Sequence, residues 1–293
     1  MDINNERIAI TCGDAGENHQ GMEMLGKLGD EGTGFTIEDL MNIKLYVEQL
    51  GRRCDYYDLS HNDAVIIKKN RTKLEKTKTK KKAGVLILRN FLNDEQVQNV
   101  YKELDNIEWD NKYFDTRRKK VLNKNARENL LFLKNKSQEP DYENKKGRIV
   151  DWTKLKNFNL ILENIFEIIN KKTKNKAVGM IAEGNRYRKY KEINNKMKKV
   201  HNGIGWHGDA ERRKVVCICI GGIDYCMKWQ WFYKNKPINS NPYEIYLNSG
   251  DIYIMSEEAV GQNWKSSSIY TLRHCAGADN NSRFVQYKKE WLL

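Results

Sequence analysis

Three residues in the C-terminal part of the chain have the types and the spacing of a metal site. His207 and Asp209 are two positions apart in the segment Gly-Ile-Gly-Trp-His-Gly-Asp, and His274 follows far downstream. Side chains at positions i and i+2 of a strand point to the same side, so the imidazole and the carboxylate could reach one ion. Two His and one carboxylate occupy one face of an octahedron and leave three positions open for other ligands. The spacing therefore predicts a metal centre with open coordination positions.

A His-x-Asp triplet alone is weak evidence, because such triplets arise by chance in many chains. Here the chain has only five His, and Arg283 lies nine residues after His274 on a strand-like run. Arginine binds a carboxylate through a bidentate, charge-assisted pair. We therefore expect an acidic ligand close to the metal, with Arg283 as its contact.

Positive charge dominates the composition, with a formal net charge of +13. Such an excess favours anionic partners, nucleic acid above all, through phosphate neutralisation and counterion release. Much of it is concentrated in residues 68–82, where nine Lys or Arg stand against one acid, Glu75. This segment is typical either of a solvated linker or loop or of an arm that contacts nucleic acid.

The cysteines and the hydropathy limit the class of protein. Six Cys occur without a Cys-x-x-Cys pair, which favours free thiols in a reducing compartment over disulfides or zinc. We find neither a basic-then-apolar leader nor an apolar run of about 18 residues. We therefore expect a soluble intracellular protein, cytoplasmic or nuclear, that does not associate with membranes.

The order of predicted elements indicates how the metal residues are positioned. Helical spacing covers residues 36–50, 93–107 and 153–169, and short apolar strands follow from residue 177 onward. Helices followed by many short strands predict a β-sandwich or jelly roll with helices on one face. Residues 1–67 are expected to form a small α/β appendage, residues 68–82 a basic linker or loop, and residues 83–293 the catalytic domain. The glycine-rich segment 13–21 is interpreted as a structural loop.

Several motifs in residues 83–293 resemble the AlkB-like branch of the 2-oxoglutarate/Fe(II)-dependent oxygenases. Asn185-Arg186-Tyr187 is similar to the Asn-x-Tyr motif of that family, and residues 205–211 (GWHGDAE) to its metal strand. Residues 250–256 resemble the strand that precedes the distal His, and Arg283-Phe284 resembles an Arg followed by an aromatic residue. Together these motifs are far more specific than the triplet alone.

The resemblance implies an α+β fold with a double-stranded β-helix, or jelly roll, and supporting helices. It implies an enzyme with Fe(II), 2-oxoglutarate and dioxygen as cofactor and co-substrates, which hydroxylates or oxidatively demethylates a base of DNA or RNA. The catalytic metal ligands would be the predicted triad. The contacts of 2-oxoglutarate would be Asn185, Tyr187 and Arg283.

Five further residues are candidates for contacting the substrate. The resemblance puts Glu211 near the substrate base. Trp206 could stack on a base or belong to the core. Arg212 could follow a phosphate backbone or be a solvated charge. Arg117 and Arg118 come after two aromatic residues, a mixture typical of proteins that bind single strands or flipped bases but also of a basic hairpin tip. The resemblance implies a nucleotide-recognition lid in this region.

Two departures from the family pattern leave the substrate class open. Residues 188–202 are a Lys-rich insertion, and Lys288 and Lys289 stand where several relatives have a second Arg. The nine-residue gap between His274 and Arg283 also occurs in prolyl hydroxylases. The alternatives to a nucleic-acid oxygenase are therefore a protein side-chain hydroxylase and a non-catalytic nucleic-acid-binding module.

Overall fold

Most of the fold consists of strands in curled, mainly antiparallel sheets, with few helices. The computed structural model describes residues 3–61, 65–70, 73–78, 81–193, 196–199, 203–222, 225–238 and 241–278. Arg283, Lys288 and Lys289 lie outside these residues. Within them the fold is mixed α+β, as the order of the predicted elements indicated.

The strands in chain order are β1 (Glu6–Gly13), β2 (Ala15–Glu17), β3 (Met24–Gly26), β4 (Cys54–Asp58), β5 (Val65–Asn70), β6 (Lys73–Lys78), β7 (Gly84–Leu88), β8 (Lys112–Asp115), β9 (Lys120–Asn123), β10 (Glu128–Leu133), β11 (Ile149–Asp151), β12 (Ile181–Arg188), β13 (Tyr190–Ile193), β14 (Lys196–Lys199), β15 (Ile204–His207), β16 (Val215–Ile220), β17 (Tyr225–Tyr233), β18 (Lys236–Pro237), β19 (Tyr243–Leu247), β20 (Ile252–Met255) and β21 (Thr271–Ala278). The helices are α1 (Ile37–Gln49), α2 (Asp94–Asp105), α3 (Lys156–Lys172) and α4 (Glu257–Val260).

Sequence signals at the helix ends explain where two of these helices start. Thr36 caps α1 and forms a capping box with Asp39, while Asn93 caps α2 and forms one with Gln96. In each box the cap side chain and the side chain three residues later satisfy two backbone N–H groups that the first turn leaves without partners. The predictions of helices near residues 36–50, 93–107 and 153–169 are confirmed.

The N-terminal strand β1 lies inside the main sheet. The strand order of this eight-stranded sheet is β11-β10-β12-β1-β16-β20-β7-β4. β1 is antiparallel to both of its neighbours, with Ala9 opposite Asn185 of β12 and opposite Cys219 of β16. The prediction of a separate appendage in residues 1–67 is therefore wrong. Long-range strand pairing, which leaves no local trace in the sequence, joins this segment to the rest of the fold.

The basic segment joins two neighbouring strands of the same sheet. β4 pairs with β7, and between them β5 pairs with β6 as an antiparallel hairpin. The expected boundaries at residues 67 and 83 therefore do not separate two folding units. The Lys-rich insertion also contains a hairpin, formed by β13 and β14.

The two faces of β1 show how the sheet divides the interior. Ile8, Ile10 and Cys12 belong to the core between the main sheet and the helices. The residues between them face a second core, which lies between the main sheet and a five-stranded sheet of β15, β21, β17, β18 and β19. Successive side chains of a strand point to opposite faces, which explains this alternation. The site described below lies between the two sheets.

Buried aromatic and thiol side chains fill much of the second core. Trp229 and Trp231 are fully buried there, as expected for packing residues. Cys217 and Cys219 are buried on β16, and all six cysteines are free. Among the described residues, no helix combines the length and the apolar character needed to cross a membrane.

Candidate metal centre

A cavity of about 700 Å³ lies between the two sheets and contains the predicted metal residues. The main sheet contributes residues of several strands, and on each strand only every second side chain faces the gap. They include Arg7, Ala9 and Thr11 of β1 and Glu183, Asn185 and Tyr187 of β12. The opposite wall comes from β15, β21 and β17, and it includes His207, His274 and Tyr225.

The two histidines of the predicted triad are a cross-strand pair. β15 and β21 are antiparallel, and His207 is directly opposite His274 in their register. Their ring centroids are 4.5 Å apart, with the rings at 63° to each other. Side chains of directly opposed residues share one face of a sheet. Residues 67 positions apart in the chain are thereby brought to the same point of the cavity wall.

Asp209 reaches the same point because the chain turns tightly after β15. Its backbone N–H donates to the Val260 carbonyl at 3.0 Å. A Cβ atom at Gly208 would lie 2.1 Å from the carbonyl oxygen of Gly261. Only glycine allows the chain to pass this close to its neighbour. Gly208 therefore positions the carboxylate of Asp209. The sequence analysis assumed that Asp209 lies within the strand, but it lies beyond the end of β15.

The spacing of the three potential ligand atoms fits one metal ion. Asp209 Oδ1 lies 3.6 Å from His207 Nε2 and 3.7 Å from His274 Nε2. All three atoms lie within 4.8 Å of one another. Atoms that bind one ion at about 2.0–2.2 Å lie roughly 3 Å apart when they are neighbours in the coordination sphere. Closing the observed gaps needs only small side-chain movements, so the group could hold a metal.

The protonation of His207 suits a metal as well. Burial and the neighbouring His274 lower the pKa of His207 to about 4, which leaves its ring neutral at pH 7. Nδ1 of His207 lies 2.7 Å from the Gly205 carbonyl oxygen, so Nδ1 donates there and Nε2 keeps its lone pair. Nδ1 of His274 is buried and has no hydrogen-bond partner among the described residues. An imidazole whose Nε2 keeps its lone pair, as in His207, is the form that binds metals.

A buried arginine holds the carboxylates around the triad. Arg212 donates to Glu183 and, at 2.9 Å, to Glu211, and its Nε is 4.0 Å from Asp209 Oδ2. Burial alone would lower the pKa of Arg212, but the three acids outweigh it and raise this pKa. Burial would raise the pKa of Asp209, but His274 and Arg212 hold it well below its usual range. The geometry contradicts the interpretation of Arg212 as a phosphate contact or a solvated charge, because its guanidinium is buried against carboxylates.

The residues expected to bind 2-oxoglutarate fall into two groups. Asn185 and Tyr187 both line the cavity from β12, as the motif predicts for a ligand site. The Asn185 amide donates to Glu183 Oε1 at 3.1 Å and accepts from Asn129. Tyr187 packs against Tyr225, with ring centroids 5.5 Å apart. Arg283 is outside the described residues, so its role stays a prediction.

The residues expected to contact substrate are also divided. Trp206 and Glu211 line the cavity, and burial raises the pKa of the Glu211 carboxyl. Trp206 is half-buried and packs at 59° to the ring of Phe232. Arg117 and Arg118 are exposed in the turn between β8 and β9, where their backbone N–H groups donate to Asp115. This turn lies on the surface, and neither arginine lines the cavity.

Several cavity residues escaped the sequence analysis. Arg7 belongs to the supposed appendage, while Glu17 and His19 belong to the segment interpreted as a structural loop. Arg127 follows the β8–β9 hairpin, and its Nε is buried with no hydrogen-bond partner among the described residues. Residues 7–11 alternate isoleucine with other side chains, and this alternation indicated a strand whose two faces differ. No feature of the sequence places that strand or the loop beside the metal residues.

The fold and the site together define a mixed α+β protein with a His-Asp-His group that could bind a metal. The chain is 35% identical over 277 residues to the uncharacterized protein R156 of Acanthamoeba polyphaga mimivirus. This similarity covers 94% of the chain and 96% of R156, so the chain belongs to the same family as R156. No family model matches the sequence.

Proposed function

We propose that this protein is an Fe(II)- and 2-oxoglutarate-dependent dioxygenase that hydroxylates or oxidatively demethylates a base of DNA or RNA. The observation that carries this proposal is the convergence of His207, Asp209 and His274 in a cavity that Asn185 and Tyr187 also line. The first three would hold the metal and the last two would contact the keto acid. A double-stranded β-helix is the fold we propose for the two facing sheets, with α1–α3 as supporting helices.

The ligand set favours Fe(II) among the metals available to such sites. Two imidazoles and one carboxylate on one face leave positions open for a chelating keto acid and for dioxygen. When bound, Fe(II), the keto acid and dioxygen would together supply the oxidising power that hydroxylates a C–H bond. Sites of four protein ligands, typical of structural zinc, would need one more donor than this group offers.

The surrounding residues would prepare and protect the site. The Gly205 carbonyl fixes the ring orientation of His207, and Arg212 neutralises the acids around Asp209. Fixed partners of this kind hold metal ligands in position before the ion binds. The two facing sheets enclose the cavity and would exclude bulk water from the reaction. Asn185 and Tyr187 offer polar groups along one wall for orienting the keto acid. Arg283, which lies outside the described residues, would be a third contact.

The mouth of the cavity supports a nucleic-acid substrate. Trp264 and Lys265 line the cavity together with Arg127, so both aromatic and cationic groups are present in its wall. Flat aromatic rings stack on exposed bases, and guanidinium or ammonium groups bind phosphate. His19 stacks on Tyr113 at 3.7 Å and thereby joins the β8–β9 hairpin, with Arg117 and Arg118 at its tip, to the mouth. This hairpin could then act as a nucleotide-recognition lid.

The test is turnover of 2-oxoglutarate by the full chain with Fe(II). Succinate would be measured with methylated and unmodified single- and double-stranded oligonucleotides of DNA and RNA, and with peptides. We expect the amount of succinate to match the amount of base that is oxidised. Formaldehyde should be released where the substrate carries a methyl group. Asp209→Asn should abolish turnover, and Lys44→Ala, which removes a surface ion pair on α1, should leave it unchanged.

Each alternative predicts a different result in the same assay. Turnover with peptides alone would identify a protein side-chain hydroxylase and would overturn the nucleic-acid assignment. Salt-dependent oligonucleotide binding without succinate from any substrate would indicate a non-catalytic nucleic-acid-binding module. If the protein binds neither Fe(II) nor 2-oxoglutarate, the oxygenase proposal is wrong.

A further inference from the structure

Arg127 brings a cation into the cavity without forming an ion pair there. The residue lies just before β10, is half-buried and lines the cavity. Its Nε is buried without a hydrogen-bond partner, and no acid among the residues that the structure describes lies within ion-pair distance of its guanidinium. A buried N–H of a charged group costs free energy unless it has a partner. This guanidinium is therefore suited to binding an anion that enters the cavity.

The strand register puts Arg127 beside a proposed contact of the keto acid. β10 is antiparallel to β12, and Glu128, the first residue of β10, is opposite Arg186. Arg127 precedes Glu128 in the chain, so it lies beside Tyr187, the next residue of β12. Both side chains line the cavity. Burial raises the pKa of the Tyr187 hydroxyl, and the charge of Arg127 acts against this rise. The hydroxyl is thus neutral at pH 7 and can donate to an anion beside Arg127.

A row of polar side chains connects this position with the metal residues. Asn185 is the neighbouring cavity residue on β12, and its amide donates to Glu183 Oε1 at 3.1 Å. Glu183 accepts from Arg212, whose Nε is 4.0 Å from Asp209 Oδ2. Along this wall Arg127 is four residues from the level of Glu183, a span of about 13 Å. An extended keto acid bound at the metal and the long arginine side chain would meet within it.

The charge of a keto acid with two carboxylates requires a cation at the end away from the metal. Asn185 and Tyr187 are uncharged, so they supply hydrogen bonds only. A buried carboxylate without a countercharge is costly. A guanidinium offers its N–H groups in a fork that matches both oxygens of a carboxylate. Nε of Arg127 belongs to such a fork, and its burial strengthens the attraction because water is excluded.

We propose that Arg127 binds the distal carboxylate of the keto acid, with Tyr187 as its neighbour on the adjacent strand. This inference rests on the proposed function, because it needs a keto acid at the metal. It assigns the charged contact to the segment between the β8–β9 hairpin and β10, independently of Arg283. It also explains a buried guanidinium nitrogen that no protein group among the described residues satisfies.

The other Lys and Arg side chains that line the cavity fit this role less well. Arg212 is already engaged by two carboxylates and would have to give up buried ion pairs. Arg7 already donates to the Leu247 carbonyl oxygen at 3.0 Å. Lys265 is exposed, so water screens its charge, and it stays available for a substrate phosphate. Lys265→Met is therefore the matched control, since it removes a cavity cation from another place.

The experiment compares the binding of two keto acids to the Mn(II)-loaded full chain by calorimetry. 2-Oxoglutarate and 2-oxopentanoate share the metal-chelating end, and a methyl group replaces the distal carboxylate in the second. We expect the wild type to prefer 2-oxoglutarate by roughly ten- to a hundredfold, as for a hydrogen bond between charged groups. Arg127→Met and Arg127→Gln should bring this preference close to one, and they should leave the affinity for 2-oxopentanoate unchanged. Arg127→Lys should retain part of the preference, and Lys265→Met should keep all of it.

Mn(II) affinity and the melting temperature of each variant show whether it folds, and Arg127→Gln carries the comparison should Arg127→Met fail to fold. A preference that survives in the folded Arg127→Met protein would overturn the inference and leave the oxygenase proposal intact. If that protein also binds a single-stranded oligonucleotide more weakly than the wild type, Arg127 contacts a substrate phosphate and not the keto acid.

The remaining outcomes separate this inference from the proposed function. The inference is wrong if the wild type binds both keto acids equally well. It is also wrong if the preference is lost in Lys265→Met or Arg283→Met and not in Arg127→Met. A wild-type protein that takes up Mn(II) but neither keto acid would overturn the proposed function, and this inference with it.

Discussion

His207 and His274 face each other across the β15–β21 strand pair, with ring centroids 4.5 Å apart. Strand pairing sets this distance, so the two imidazoles are held in place by the backbone of the sheet. The third potential ligand is not on either strand and depends on a turn. The site thus has a rigid part and a part that depends on local backbone geometry, and the two respond differently to substitution.

Asp209→Asn should greatly weaken metal binding. The amide keeps the size of the side chain but loses the negative charge that neutralises the ion. Mutation of a residue that hydrogen-bonds to a metal ligand typically lowers metal affinity by about 10- to 100-fold. We therefore expect the loss of a ligand itself to lower metal affinity by at least about 100-fold. Mn(II) affinity, measured by electron paramagnetic resonance, checks this. Glu211→Gln removes a nearby charge that is not in the ligand group, and an equal loss there would show that only the net charge of the cavity matters.

Gly208→Ala should destabilise the protein and displace the carboxylate. The new Cβ would lie 2.1 Å from the Gly261 carbonyl oxygen, so one of the two backbone segments must move. Overpacking of this kind costs about 1–3 kcal/mol. Urea unfolding gives the free energy, and Mn(II) titration should show weaker binding. Gly16→Ala is the control, because its Cβ would meet its nearest neighbour at 3.5 Å, an ordinary contact. Wild-type metal affinity in a folded Gly208→Ala protein would contradict the role of this glycine.

Ala9→Phe should block the keto acid and spare the metal. Facing sheets lie about 10 Å apart, so a phenyl ring at this position would fill much of the gap between them. Ala9 lines the cavity from β1 and does not belong to the potential ligand group. We expect Mn(II) affinity to stay within about twofold of the wild type and 2-oxoglutarate binding to become undetectable by calorimetry. Normal binding of the keto acid would place it elsewhere in the protein.

Lys124 should make stability depend on pH in a direction that is unusual for lysine. The side chain is 8% exposed and donates to Asn18 Oδ1, and burial is the main cause that lowers its pKa to about 7. The unfolded chain keeps the usual lysine pKa of about 10.4. Protonation is thus less favourable in the folded state. Burial of the Lys124 charge therefore destabilises the folded protein fully below pH 7, and this effect disappears as the pH rises toward about 10.4.

Lys124→Met tests this by removing the charge at similar length. The difference in free energy of unfolding between variant and wild type should shift by about 2.7 kcal/mol in favour of the wild type between pH 6 and pH 9. Urea unfolding at several pH values measures it. Buried cysteines and tyrosines titrate equally in both proteins and cancel in the difference. A difference that stays constant with pH would mean that the folded protein leaves the pKa of this lysine unchanged.

Local patterns in the sequence were enough to find the potential ligand group and a few of the residues around it. The sequence Trp-His-Gly-Asp, a distant His and an Asn-x-Tyr motif are short-range signals, and all three segments meet in one cavity. Helix caps at Thr36 and Asn93 were equally readable, because a cap depends on residues three positions apart. The order of helices and strands indicated the mixed fold for the same reason.

Tertiary structure alone decided where the N-terminal segment belongs. The sequence determined that residues 7–12 form a strand, but the strand partners of β1 are more than 160 residues away. Alternating side chains show that a strand has two faces and do not say which sheet it enters. The position of β1 between β12 and β16 turned Arg7 and Ala9 toward the cavity, and packing against β8 brought His19 to it. Contacts of this range are made by the folded chain as a whole, so no local pattern carries them.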